Sequence, residues 1–149
     1  MSFSDEHLTT GPIAGDEALA TFGQRLAALL VDAVLVALVV SPIVLALPTR
    51  YDRYEDLVVL LVMIVYFTAL EGTRRGQTFG KMLLKIRVIS YDTGDSISHP
   101  RAFVRSVGRI LSGLPFDLGY LWMLWDGERQ TWHDKLSRTV VVNVAHRPV

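Results

Sequence analysis

Arg25 and Asp32 stand at the start of, and one third of the way into, the apolar run LAALLVDAVLVALVVSPIVLAL at 26–47. Charge placed in such a run is the chemistry to ask about first. An ionisable group inside a bilayer costs at least ~2.5 kcal/mol on insertion scales, so it turns toward protein or water and often marks function. Their separation, close to two helical turns, puts both on one face, ~10.5 Å apart along the axis. That is too far for a direct salt bridge, and each needs another partner. Arg25, at the boundary, can snorkel to a lipid phosphate or reach a carboxylate from the C-terminal part of the chain. For Asp32 two readings stand. One is a cation or proton site, neutral or charged according to occupancy. The other is a carboxyl hydrogen-bonded to Lys81, Arg105 or Arg109 that fixes helix packing.

Other polar groups carry less chemistry. Gly76-Gln77-Thr78-Phe79-Gly80-Lys81 falls one residue short of a phosphate loop and has no Ser or Thr after the lysine. Its glycines suit a tight turn and a close approach to the first helix instead. His133 next to Asp134 has no second His, Cys or carboxylate at ligand spacing, so neither a metal site nor acid–base catalysis follows. Asp134 fits a turn cap or a partner for an arginine of the 101–109 face. Arg101, Arg105 and Arg109 recur every four residues and share one helical face. With Lys81 and Lys85 they read as a cytoplasmic basic surface for anionic lipid headgroups. Nucleic acid is not an expected partner, because stacking positions and a soluble basic domain are missing. The chain has no cysteine, which excludes disulfides, thiolate metal sites and thiol catalysis. No enzyme activity, metal or cofactor is expected.

The elements that must position these groups follow from patterning. Half of the 149 residues are hydrophobic, and they are blocked into runs rather than spread at helix or strand period, a membrane signature. Residues 1–20 are acidic, glycine- and proline-containing, and read as a flexible tail without a secretory signal. A first helix is expected at about 21–47, with Thr21 as N-cap and Pro42 kinking it. A second is expected at about 54–70, relying on Tyr51 and Tyr54 at the interface to span. GQTFGKMLLK fits a short amphipathic helix lying on the membrane, with Phe79, Met82 and Leu83 inward toward it and Lys81 and Lys85 outward.

IRVIS and TVVVNV predict two strands, at about 85–90 and 139–144, that pair with each other. Residues 101–125, broken at Gly113-Leu114-Pro115, either cross the bilayer or re-enter it. Trp122, Trp125, Trp132 and Tyr120 suit an interfacial belt. Residues 145–149 form a C-terminal tail. Residues 71–109 carry eight basic against three acidic groups, which places 71–106 inside, the N-terminus with it and the C-terminus by strand pairing.

An arginine at the mouth of helix one, an aspartate seven residues later, GQTFGKMLLKIRVI after helix two and the terminal RQTWHDKLSRTVVV together resemble the RDD family of small bacterial membrane proteins. The resemblance covers about 21–142. Arg25 and Asp32 match its arginine and first aspartate. Asp134 is the best match for the second, with Asp117 as rival. The chain departs from the family at Ser137-Arg138-Thr139, where relatives often carry Ala-Gly-Thr before the last strand. The family's activity is largely unassigned; transport is suggested, with cation/proton exchange proposed for some members.

The resulting expectation is an all-α membrane protein of the cell membrane, multi-pass. Two transmembrane helices form a hairpin, a third Gly/Pro-broken element is transmembrane or re-entrant, and a small two-stranded β patch is cytoplasmic. Its function is that of a small transporter or transport component, alone or as a homo-oligomer, with an intramembrane polar site at Arg25, Asp32 and Asp134 or Asp117. The alternative is a non-catalytic scaffold or accessory subunit of a larger membrane complex.

Overall fold

A computed structural model describes residues 19–46, 48, 53–113 and 118–145. Among these the protein is mostly helical, with one small antiparallel sheet. Helix α1, Phe22–Ala46, starts at a reciprocal cap: Gln24 N donates to Thr21 Oγ1 at 3.2 Å and Thr21 N donates to Gln24 Oε1 at 2.9 Å. It continues past Pro42 for a length of about 38 Å, enough to cross the ~30 Å of bilayer hydrocarbon. Among the described residues it is the one helix both long and apolar enough to do so unaided. Ala28, Asp32, Val36 and Val40 recur every four residues as its buried stripe, while Leu30, Val34, Leu38 and Ile43 are exposed. Asp32 thus lies on the face that meets protein.

Helix α2, Glu55–Glu71, has 17 residues and is about 25 Å long. Its buried residues, Phe67 and Glu71, lie at its C-terminal end. That end meets a polar base built from the rest of the chain. Helix α3, Phe79–Leu83, is capped by the Thr78 hydroxyl, which accepts from Lys81 N. Strand β1, Ile86–Ser90, pairs antiparallel with β2, Thr139–Asn143, in register Ile86 to Asn143 through Ser90 to Thr139. Helix α4, His99–Gly113, packs on α2 and on α6, Trp132–Ser137. The short α5, Leu118–Leu121, runs into a 3-10 turn at Trp122–Leu124.

Both strands are almost wholly buried, and Ile86, Val88 and Val141 join Ala20, Ala28, Ile97 and Ala102 in one apolar core. Burying these side chains stabilises the base by about 1.5–3 kcal/mol for each Val or Ile.

Several boundaries differ from the sequence reading. Leu19 and Ala20 belong to the base and not to a tail: Leu19 bridges Val142, and Ala20 N donates to Val141 O at 2.8 Å, adding a partner along the open side of β2. The α3 segment turns one of its two lysines inward: Lys81 is buried, while Lys85 is exposed as expected and Phe79 and Leu83 are 54% and 69% exposed. The reason is an internal carboxylate that outcompetes water for the ammonium. The broken third element resolves into α4 and α5, at nearly the expected break. Residues 1–18, Tyr51, Asp117 and 146–149 lie outside the described residues.

Candidate functional site

Three carboxylates organise the base, each supplied by a different element. Asp134 is the third residue of α6, where its Oδ2 accepts the Thr131 N–H at 3.0 Å as half of a capping box. The same carboxylate accepts the Arg25 Nη1 donor from α1 and, through Oδ1, Arg105 Nη2 from α4 at 2.7 Å. Arg25 Nη2 also donates to the Arg129 carbonyl at 2.9 Å. Two guanidiniums from distant segments thus converge on one helix cap. The Thr131 hydroxyl donates to Asp134 at 2.8 Å and meets His133 Nε2 at 2.9 Å, so the ring nitrogen facing it carries the proton. The other ring nitrogen meets Ser112 Oγ at 3.0 Å.

Glu71 is the second centre. It ends α2, where an exposed carboxylate would oppose the helix dipole. Here it is fully buried and neutralised by three cations: Lys81 Nζ at 2.5 Å, Arg109 Nη2 at 2.6 Å and Arg105 Nη1 at 3.4 Å. Arg105 therefore bridges Glu71 and Asp134. The Arg109 guanidinium also lies 3.9 Å above the Phe67 ring, and Lys81 Nζ lies 5.4 Å from that ring's centre.

Asp32 is the third centre and stands apart from the cations. Its Oδ1 accepts from Tyr66 Oη at 2.7 Å and Gly80 N at 2.8 Å, and its Oδ2 accepts from Thr78 Oγ1 at 2.5 Å. Three neutral donors replace water around a buried carboxylate. Gly80 makes this possible, because a Cβ there would lie 2.1 Å from the Ala28 carbonyl oxygen. Only glycine lets α3 lie this close to α1. Gly76, at φ +60°, makes the preceding turn.

A cavity of ≈ 520 Å³ opens between α1, α2 and the base. Arg25, Lys81, Arg105, Arg109 and Asp32 line it, with Leu26, Leu29 and Met63 on the apolar side. Burial shapes the titration of the groups outside α1 and α2. It pulls the Lys81 ammonium down to about 8; Glu71 opposes the fall, while Arg109 and Arg105 add to it. Burial also holds the His133 imidazole well below its usual range, so the ring is neutral near pH 7. Burial pushes the Asp134 carboxyl up, but Arg105 and Arg25 outweigh it and hold it well below the usual carboxylate range.

With this arrangement in view, comparison with known sequences is decisive on one point. The sequence profile of the RDD family matches residues 19–138. The chain belongs to the RDD family. A proline-rich antigen homolog of Mycobacterium tuberculosis is 36% identical over 69 residues, 46% of this chain and 29% of that protein. The proline-rich antigen of Mycobacterium leprae is 33% identical over 87 residues, 56% of this chain and 35% of that protein. The uncharacterized protein YxaI of Bacillus subtilis is 29% identical over 86 residues, 58% of this chain and 56% of that protein. The chain therefore spans about a third of the mycobacterial relatives and about half of the Bacillus one. No solved structure matches.

Of the residues that the resemblance singled out, Arg25, Asp32 and Asp134 lie among the described residues. Arg25 and Asp134 form one buried ion pair, 109 residues apart in sequence. Asp32 neither meets Arg25 nor takes Lys81, Arg105 or Arg109 as partners; hydroxyl and amide donors reach it first, because α3 brings Thr78 and Gly80 against α1. Lys81, Arg105 and Arg109 face internal carboxylates and not a lipid surface: Arg105 is 2% exposed. Arg101 bonds Ser90 Oγ at 2.8 Å and sits near Asp92, and Lys85 is exposed.

Arg138, the position at which the resemblance implies a glycine, holds the left-handed conformation that a glycine would suit, at φ 51°. Glu71, Tyr66 and Thr78 are site residues that the sequence reading passed over. The available signal was a lone acid closing an apolar run ten residues before Lys81.

Proposed function

We propose that the protein is a multi-pass transport component of the cell membrane that passes a small charged solute through the site between α1, α2 and the base. In this reading α2 is the second span, flanked by Tyr54 and completed by lipid adjustment to its shorter length. The basic base and both chain ends lie on the cytoplasmic side, following the excess of Lys and Arg after α2. Lys85 is left free to meet anionic headgroups.

The observation that carries the reading is the ≈ 520 Å³ cavity with Asp32 and the arginine network on its wall. Concave sites with an apolar body and a few convergent polar groups are how solutes are held. So few helices enclose no complete pathway, and the transporting unit is an oligomer.

The test is reconstitution into vesicles with a pH-sensitive dye inside and imposed gradients of sodium, potassium or phosphate outside. Wild-type vesicles are expected to respond to one of these gradients and Asp32→Asn vesicles to respond several-fold less. Equal traces from wild-type, variant and empty vesicles end the transport reading.

A specific observation favours the runner-up, a non-catalytic scaffold or accessory subunit. Asp32 and Asp134 are each saturated by donors of the same chain, as structural clamps are. Purification in mild detergent that yields a monomer without any partner counts against it.

A further inference from the structure

The wall of the cavity is lopsided in charge. Arg25, Lys81, Arg105 and Arg109 all face it, and Asp32 is the one carboxylate among its lining residues. Glu71 and Asp134 sit behind the cations rather than on the surface of the cavity. Counting those two as well leaves four cations against three carboxylates, an excess of one positive charge, with Lys81 and Arg105 buried and Arg25 and Arg109 partly exposed. Uncompensated buried charge is costly and is found paired.

The cations also keep donors in hand. The Nε–H groups of Arg25 and Arg105 have no hydrogen-bond partner among the described residues, but both are sealed from the cavity; the donors within reach of a ligand are the remaining N–H groups of the partly exposed Arg25 and Arg109 and of the Lys81 ammonium. An arginine carries five N–H donors and a lysine three, so pairing with Glu71 and Asp134 does not exhaust them. Arg109 is fixed from below by Phe67, which positions its plane without using its N–H groups. The carboxylates behind act as braces that aim the cations.

We propose that this cavity is a binding site for a phosphate-type oxyanion, held by Arg25, Lys81 and Arg109, with the buried Arg105 adding its charge from behind. Guanidinium forks match such an oxyanion in geometry, and the positive wall repels a free metal cation. The apolar side, at Leu26, Leu29 and Met63, accommodates a hydrocarbon attached to the phosphate. The phosphate group belongs either to a free solute or to a lipid headgroup; the recognising chemistry is the same. The inference deepens the transport reading by naming the ligand class of the same cavity, but binding is measured without flux, so each can fail alone.

The experiment uses the full chain in nanodiscs of phosphatidylcholine, titrated calorimetrically with inorganic phosphate at constant ionic strength. Saturable binding is expected in the wild type. Arg109→Gln and Lys81→Gln each lose one charge-assisted hydrogen bond and are expected to bind about tenfold more weakly. Arg109→Lys, which keeps the charge, is expected to bind within a fewfold of wild type.

A parallel arm uses nanodiscs of phosphatidylglycerol. A lipid source raises the melting temperature there and suppresses phosphate binding; a free-solute source leaves both unchanged. If a variant fails to fold, the wild type alone decides: phosphate must raise its melting temperature saturably, and sodium chloride of equal ionic strength must not. The proposal is overturned by wild-type protein that neither binds phosphate nor melts differently in the two lipids. It is also overturned by folded Gln variants that bind as tightly as wild type. Phosphate binding without vesicle flux keeps the site and removes transport; flux with neither phosphate binding nor lipid-dependent melting does the reverse.

Discussion

Replacing Glu71 by Gln removes a negative charge from beneath three cations while keeping the shape of the side chain. Lys81 Nζ, Arg109 Nη2 and Arg105 Nη1 lie 2.5, 2.6 and 3.4 Å from its oxygens, and the carboxylate is fully buried. The new amide can accept from one of them, but its NH2 group is turned toward the others. Breaking a buried ion pair by removing one partner costs about 3–5 kcal/mol, because the remaining charge stays buried and unpaired. For a chain of this size each kcal/mol is worth about 2–4 °C, so a loss on the order of 10 °C is expected.

Trp122, Trp125 and Trp132 all lie in or near the base and report its unfolding by intrinsic fluorescence in detergent. A second substitution, Lys81→Met, removes the cation that burial already drives down to about 8. The double variant is expected to be more stable than the sum of the single losses, with a coupling of about 1–3 kcal/mol. A Glu71→Gln protein that melts within about 2 °C of wild type, well under one broken buried pair, refutes the neutralising role. So does a double variant whose losses simply add.

Gly80→Ala places a Cβ 2.1 Å from the Ala28 carbonyl oxygen and 3.0 Å from Asp32 Cγ. A loss of about 2–3 kcal/mol in thermal unfolding is expected, and an unchanged melting temperature would mean that α3 does not rest on α1 as described. Lys81 titrates near 8 when folded against 10.5 in a free chain, so between those values the unfolded state holds more protons and stability rises with pH. The gain is worth up to about 3 kcal/mol at full expression, and it should vanish from the pH profile of Lys81→Met. Arg138→Gly relieves a left-handed arginine at φ 51° and gives up an exposed pair with Asp92 at 2.7 Å. The balance is a gain of up to about 1 kcal/mol in denaturant unfolding; a loss of that size would show that the ion pair outweighs the backbone term.

Much of the architecture was legible one residue at a time. The apolar run after Arg25 has the length of a membrane helix, and α1 occupies Phe22–Ala46. IRVIS alternates and is β-branched, TVVVN is a second β-type run, and they pair as β1 and β2 because no other strand is available among the described residues. Thr21 and Gln24 cap α1 through a spacing visible in the sequence. Gly113 ends α4 next to the break expected there. The outward placement of Lys81 was misjudged for a physical reason. Amphipathicity assigns charge to solvent, and only a carboxylate on another helix can turn it inward.

Length, hydrophobic blocks, turn residues and the charge bias act within a few residues of themselves, so the helices, the strands and the membership in a membrane-associated family follow from the chain read in order. Which charge meets which does not. Arg25 pairs with Asp134 across 109 positions, Arg105 joins two carboxylates from different helices, and Asp32 goes to Tyr66, Thr78 and Gly80 rather than to any cation. Several cations and carboxylates permit many pairings of similar Coulomb energy. The packing of α3 and α4 against α1 and α2 selects one of them, because a buried charge takes whichever partner the backbone brings within reach.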